Sequence, residues 1–159
     1  MILIKSKKKW IISIAIIILS ICVIYKLYSF NTSFDDIISN FFDDNVTFTS
    51  ISIGSIHDLH NFKYSIDDEN KINDFIKYMN NLELHKNSES STHSNNLPFD
   101  SILLMNDANS DSVFIDFSDS THILINTEHR DPPHQRVNSC TYEVVNGSID
   151  YEYINSLFN

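Results

Sequence analysis

The sequence predicts an α+β protein, in which an N-terminal transmembrane helix precedes one antiparallel sheet with helices packed on one face. Three observations predict this fold. Residues 10–25 contain no charged side chain and follow a group of four lysines. Further along, segments rich in valine, isoleucine, threonine and phenylalanine alternate with short polar turns, which is the pattern of antiparallel strands. Three other segments place their apolar residues at helical spacing.

The N-terminal segment predicts a membrane anchor. A spanning helix needs about 20 apolar residues. The charge-free run reaches this length over residues 10–30 if Lys26 extends its ammonium group outward. Residues 1–9 then form a basic cytoplasmic tail, because the lysine-rich side of a span stays in the cytoplasm. The chain is thus expected to cross the cell membrane once and to place its C-terminal part outside.

Two alternatives for this segment stay open. A cleavable signal peptide has a shorter apolar region and ends at a pair of small residues, which the sequence near residues 26–32 lacks. A lipoprotein signal would end at Cys22, since Leu19-Ser20-Ile21 resembles the start of a lipobox. Such motifs place a small residue before the cysteine, whereas Ile21 is large.

Residues 31–45 predict a short amphipathic helix and a linker. Ser33 is the expected N-cap, and Asp35 and Asp36 lie in the first turn, where the helix dipole favours negative charge. The apolar residues at helical spacing are Phe34, Ile37, Ile38, Phe41 and Phe42.

Residues 46–159 predict the extracytoplasmic α+β domain. Its first half is expected to contain a strand at 46–53, a second strand at 62–66, and a helix that Asp67 or Asp68 caps and that ends at Asn80-Asn81. Its second half predicts a meander. Connections throughout the predicted order are short, and no parallel crossover is demanded. The expected segments are a strand beginning at 82–85, a polar loop at 86–97, strands at 99–105, 113–117 and 121–126, a long loop at 127–138, a strand at 140–145, and a helix capped by Asp150.

Charge and cysteine content exclude several classes of function. After residue 30 the chain has six lysine and arginine residues against twenty-one aspartate and glutamate residues, a formal net charge of −15. Binding to nucleic acid or to anionic lipid needs basic patches, so neither is expected. A basic partner or a cation is compatible with this charge. Cys140 has no second cysteine after residue 30, so the domain is expected to fold without a disulfide and to bury this thiol.

Histidines and acidic side chains offer two weak metal-site candidates. His57, His60, His129 and His134 lie in segments predicted as loops, but no motif such as H-E-x-x-H fixes a zinc site. Asp107, Asn109 and Asp111 match the first half of a calcium loop. The match then fails, because Ser112 stands where glycine is needed and Ser118 where glutamate is needed. No metal or cofactor is therefore predicted.

Three stretches resemble small extracytoplasmic domains, membrane-anchored or lipoprotein, of low-GC Gram-positive bacteria. They are Val46-Thr47-Phe48-Thr49-Ser50-Ile51-Ser52-Ile53, the helical segment 70–82, and the ending Tyr142-Glu143-Val144-Val145-Asn146-Gly147 continued to Ile154. Because these residues are core positions and carry no catalytic motif, the resemblance implies a location and a fold more than an activity.

The expected function is that of a non-catalytic binding module for a protein, a peptide or an envelope component. The loops 86–97 and 127–138 are the predicted binding surfaces, because loops on a rigid sheet usually carry binding residues. No nucleophile motif is present, so an enzyme is not expected. The alternatives are a metal sensor or metal-dependent hydrolase that uses loop histidines, and an accessory subunit of a larger membrane complex.

Overall fold

The computed structural model describes residues 13–14, 16–21, 31–42, 46–54, 62, 64–87, 97, 99–108, 110–130, 133 and 135–159. The chain divides into two compact units, Met1–Asn31 and Thr32–Asn159. In the first unit, Ser13, Ile14 and residues 16–21 are helical. No helix within the described residues is long and apolar enough to span a membrane. Most of the predicted span at 10–30 lies outside those residues.

The remaining described chain is α+β, with one eight-stranded antiparallel sheet and three short helices. Its elements are β1 (Asn31–Thr32), α1 (Phe34–Phe42), β2 (Ser50–Gly54), β3 (Tyr64–Ile66), α2 (Glu69–Asn80), β4 (Leu84–Asn87), β5 (Ser101–Asn106), β6 (Asp111–Phe117), β7 (His122–His129), β8 (Arg136–Val144) and α3 (Tyr151–Leu157). The strand order across the sheet is β1-β4-β8-β7-β6-β5-β2-β3.

The sheet contains the predicted meander, but its connections are not all local. Strands β5 to β8 are neighbours in sequence order, while β2 pairs with β5 and β4 pairs with β8. These pairings make β3, β4 and β5 parallel to one another, so α2 joins two parallel strands on opposite sides of the sheet. The sequence pattern does not demand a parallel crossover, and this connection was not predicted. Local apolar patterns identify strands, and they carry no information about which distant strand each one joins.

A row of isoleucines fixes the register of the central strands. Ile53, Ile102, Ile115 and Ile125 lie opposite one another on β2, β5, β6 and β7, and none is more than 4% exposed. The neighbouring row contains Ile51, Leu104 and Val113, which are equally buried. The buried side chains of all three helices belong to the same core. A shift of one residue in any strand would move its isoleucine to the opposite face.

Helix α1 begins with a reciprocal cap and is part of this core. The Ser33 hydroxyl lies 2.7 Å from Asp36 Oδ2 and accepts a hydrogen bond from the Asp36 backbone N–H, while the Ser33 backbone N–H donates to Asp36. These hydrogen bonds from the backbone and hydroxyl of Ser33 hold the pKa of Asp36 below its ordinary value. Phe34 at the start of the helix is fully buried.

Helix α2 has the ends that its sequence predicts. Asp68 is the N-cap and accepts a hydrogen bond from the Asn70 backbone N–H, and Asn81 is the C-cap. Ile72, Phe75 and Met79 face the core. Near the C-terminus, Asp150 caps α3 by accepting from the Tyr153 backbone N–H, and Ile154 is buried.

The long loop expected at 127–138 was wrong. Strand β7 extends to His129 and β8 begins at Arg136, so only residues 130–135 connect them. The misleading residues are Thr127 to His129 and Arg136 to Ser139, which are mostly polar. Thr127 is nevertheless fully buried, whereas Arg136 to Ser139 are exposed. Their backbones continue the ladder nonetheless, since a strand is held by pairing as well as by burial. Cys140 consequently lies within β8, half-buried, and does not open a strand.

Truncating the centre of the core is expected to weaken the fold strongly. Phe75→Ala removes a fully buried ring from α2 and should lower the free energy of unfolding by about 3–5 kcal/mol. Tyr64→Ala is the matched control, because Tyr64 is 58% exposed and its loss should cost less than about 1 kcal/mol. Urea denaturation followed by circular dichroism measures both. Equal losses would contradict the assigned core.

Candidate functional site

Four polar side chains line up across the end of the sheet where β7 and β8 are joined. Asn106 lies opposite Asp111 on β5 and β6, and His129 lies opposite Arg136 on β7 and β8. The pairing of Ser112 with Glu128 places Asp111 beside His129. We call these four residues the polar row. By the alternation of strand side chains, the polar row shares the face of the buried isoleucines.

The centre of the polar row is a histidine–aspartate pair. His129 Nδ1 lies 2.5 Å from Asp111 Oδ1, and the two side chains are 21% and 4% exposed. When the carboxylate is ionised it only accepts hydrogen bonds, so Nδ1 is the donor. In the neutral tautomer with the proton on Nδ1, Nε2 is the nitrogen that can accept a hydrogen bond or bind a metal. A carboxylate that fixes one imidazole nitrogen in this way orients the other, as in general bases and in metal-bound histidines.

The flanks of the polar row are tied to the surrounding structure. The Arg136 guanidinium lies 5.4 Å from the ring centroid of Phe41 on α1, within the range of a cation–π contact. Asn106 Oδ1 accepts a hydrogen bond from the Ala108 backbone N–H at 2.9 Å, which shapes the turn between β5 and β6. The His129–Asp111 pair therefore sits between two structurally engaged neighbours.

The first residues of β8 form the exposed part of this end. Arg136, Val137, Asn138 and Ser139 are all exposed, and Val137 is 70% exposed. We call residues 136–139 the β8 tip. Just after β7, Arg130 Nη2 donates to Glu128 Oε2 at 2.7 Å, and this hydrogen bond holds the pKa of Glu128 below its ordinary value.

A second histidine–carboxylate pair has a local structural role. Asp119 accepts hydrogen bonds from the backbone N–H groups of Thr121 and His122, from the Thr121 hydroxyl, and from His122 Nδ1. All these partners lie within three residues, so the carboxylate organises the turn between β6 and β7. Burial raises the pKa of Asp119, but these hydrogen bonds more than offset burial and hold the pKa below its ordinary value.

The acidic residues of the half calcium loop are directed to different partners. Asp107 Oδ2 accepts from the Thr49 hydroxyl at 2.9 Å, whereas Asp111 accepts from His129. Asp111 is also the first residue of β6, where the sequence suggested a turn ligand. Asn109 lies outside the described residues.

The histidine set is placed only in part. His129 belongs to β7, whereas His57, His60 and His134 lie outside the described residues. Within the part of the chain that the structure describes, no three histidine, cysteine, aspartate or glutamate side chains are arranged to hold a metal ion. The pairing of His129 with Asp111 was missed because both residues were assigned to loops. Extending the alternation of the strand predicted at 113–117 by two residues, and of that predicted at 121–126 by three, would have placed them on one face.

Searches of protein-family models, curated protein sequences and solved structures find no match for this chain. The resemblance to small Gram-positive extracytoplasmic domains therefore stays a prediction.

Replacing Asp111 is expected to weaken the fold more than replacing the other acidic residue of the same turn. Asp111→Asn removes the charge that His129 contacts in a buried position and should cost about 1–3 kcal/mol of folding free energy. Asp107→Asn is the matched control, since Asp107 is exposed and the change should cost less than about 1 kcal/mol. Chemical denaturation at neutral pH measures both variants. An equal effect would mean that the pair contributes nothing specific.

The stabilisation by Asp119 should depend on pH. Its folded-state pKa is lowered, so its contribution is present above the unfolded-state pKa of about 4 and is lost as pH falls through the folded-state value. The difference in unfolding free energy between the wild type and Asp119→Asn should therefore shrink on acidification. Denaturant titrations at several acidic pH values measure this difference, with Asp74→Asn as a charge control on the exposed face of α2. A difference independent of pH would refute the assignment.

Proposed function

We propose that the protein is a membrane-anchored, extracytoplasmic, non-catalytic binding module for a protein, a peptide or an envelope component. The observation that carries the membrane part is the exposure of the N-terminal helical residues. Ile16, Ile17, Ile18 and Leu19 are each 56–68% exposed. Consecutive helix residues point in directions about 100° apart, so this helix is apolar all round.

An all-round apolar helix is unfavourable in water and favourable in a bilayer. Each exposed apolar Å² costs roughly 25 cal/mol in water, which disfavours an uncovered helix of this composition. Ser20 is compatible with a bilayer as well, because its hydroxyl donates to the Ile16 carbonyl at 2.9 Å. A polar side chain satisfied within its own helix needs no water. Together with the lysines of residues 1–9, this supports a single span at 10–30 with the domain outside.

The β8 tip is the best-supported binding surface of the domain. It combines an exposed valine with hydrogen-bonding side chains at the end of a paired strand, where a partner's extended segment or loop can pack. It replaces the loop expected at 127–138. The net charge of −15 after residue 30 favours a basic or neutral partner over an acidic one.

One observation favours a second candidate function, a metal-binding sensor or hydrolase. Asp111 contacts His129 Nδ1 and orients the ring, as a carboxylate orients a metal-binding histidine. Purified full-length protein in detergent should then bind zinc, and His129→Ala should abolish this binding. Without zinc binding by the wild type, this candidate fails and the binding module is unaffected.

Membrane attachment should depend on residues 10–30 and not on Cys22. The wild type and Cys22→Ser should both stay in the membrane fraction after alkaline carbonate washing, whereas a chain lacking residues 1–30 should be soluble. External protease should degrade the domain in intact cells. Release of the Cys22→Ser variant from the membrane would identify a lipid anchor instead.

Crosslinking on intact cells should locate the partner at the β8 tip. A photoreactive residue in place of Val137 should capture a discrete partner, and one in place of Tyr64, which is also well exposed, should not. The capture should persist when residues 10–28 are replaced by an unrelated apolar helix. Loss of capture in that chimera would favour the accessory-subunit alternative, and equal capture from both positions would refute the assignment of the surface.

A further inference from the structure

Asn146 joins the segment after β8 to the link between α2 and β4. Its side-chain Oδ1 accepts a hydrogen bond from the Glu83 backbone N–H at 2.9 Å, and its Nδ2 donates to the Asn81 carbonyl at 2.8 Å. Beside them, the Val145 backbone N–H donates to the Glu83 carbonyl at 3.0 Å. We call the two side-chain bonds the Asn146 clamp. Both ends of one amide are thus engaged across more than sixty residues of sequence.

The same asparagine precedes glycine, in the one Asn-Gly pair of the chain. In such a pair the backbone nitrogen of glycine attacks the side-chain carbonyl carbon of asparagine. A C–N bond forms, the bond to Nδ2 breaks, and ammonia leaves a five-membered succinimide that water opens to aspartate or isoaspartate. Glycine offers the least steric resistance to this attack. The space where a side chain of Gly147 would lie is open, with no atom within 4 Å, so water has access.

We propose that Asn146 is a deamidation site whose reaction rate is controlled by the clamp and whose product breaks the clamp. Attack by the Gly147 nitrogen requires the Asn146 amide to turn toward the following peptide bond, whereas the two bonds of the clamp hold the amide toward Asn81 and Glu83. That rotation breaks both hydrogen bonds. Reaction in the folded protein is therefore limited to moments when the clamp is open, and unfolding removes the protection.

The product is incompatible with the clamp for two electrostatic reasons. A carboxylate has no N–H to donate to the Asn81 carbonyl, so two acceptors would face each other. Asn81 is also the C-cap of α2, where the helix dipole already places partial negative charge. The Asn81 carbonyl and the C-terminal end of α2 therefore repel a negative charge on residue 146 from the place that the Asn146 amide occupies in the clamp. Deamidation would loosen the junction of α2 with the sheet.

The rate is tested on the full-length protein in detergent, incubated at mildly alkaline pH with and without urea. Peptide mass spectrometry follows conversion at Asn146, with Asn138-Ser139 and Asn155-Ser156 as internal comparisons. Conversion at Asn146 should be roughly tenfold or more slower in the folded protein than in urea, as expected from the loss of two hydrogen bonds. Equal rates with and without urea, or no preference for Asn146 in urea, would overturn the proposal.

The effect of the product is tested separately with Asn146→Asp. This variant should lower the melting temperature by several degrees, whereas Asn138→Asp, which adds the same charge to an exposed strand position, should change it little. If the two variants melt alike, the clamp has no structural role. The rate measurement on the wild type stands independently of whether the Asn146→Asp variant folds well.

Discussion

The buried face of the central strands is the constraint on which the rest of the domain depends. Four isoleucines on adjacent strands lie in register, and their side chains leave one solution for the pairing of β2, β5, β6 and β7. That register determines every other row. It places the polar row at one end of the buried face, and it places the aromatic contacts of Phe99, Phe117 and Tyr151 toward the other. The helices contribute side chains to a surface that the strands have already defined.

The parts of the fold that were predictable are those encoded by local patterns. Helix α2 shows its cap, its apolar spacing and its final asparagines within a dozen residues, and the structure has it where the pattern indicates. The predicted ends of β7 and β8 were wrong, because the pairing of these strands continues beyond the buried core. His129 and Arg136 lie in the ladder without being in the core. Apolar alternation in a sequence indicates where a strand is buried, so a strand end predicted from it lies at the edge of the core.

The candidate site was predictable in composition but not in arrangement. His129 and Asp111 belong to two separate sets of possible metal ligands, and the two residues lie eighteen positions apart in the sequence. Their contact depends on the β6–β7 register, which is a property of paired strands and not of either segment. The contact of Arg136 with Phe41 is even harder to predict from the sequence, because it joins α1 to β8. Long-range contacts of this kind build the polar row, so its chemistry becomes visible only in three dimensions.

The position of β8 in the sheet has a consequence for how the domain forms during synthesis. The last strand in sequence lies inside the sheet, with β4 and β1 beyond it on one side and β7 on the other. Strands β1 and β4 are made early, yet their place in the sheet does not exist until residues 136–144 have emerged. Closing such long loops is entropically costly and slows folding. During synthesis from the N-terminus, about a hundred residues are made after β1 before the sheet can be completed. The domain becomes one cooperative unit only when its final segment has been made.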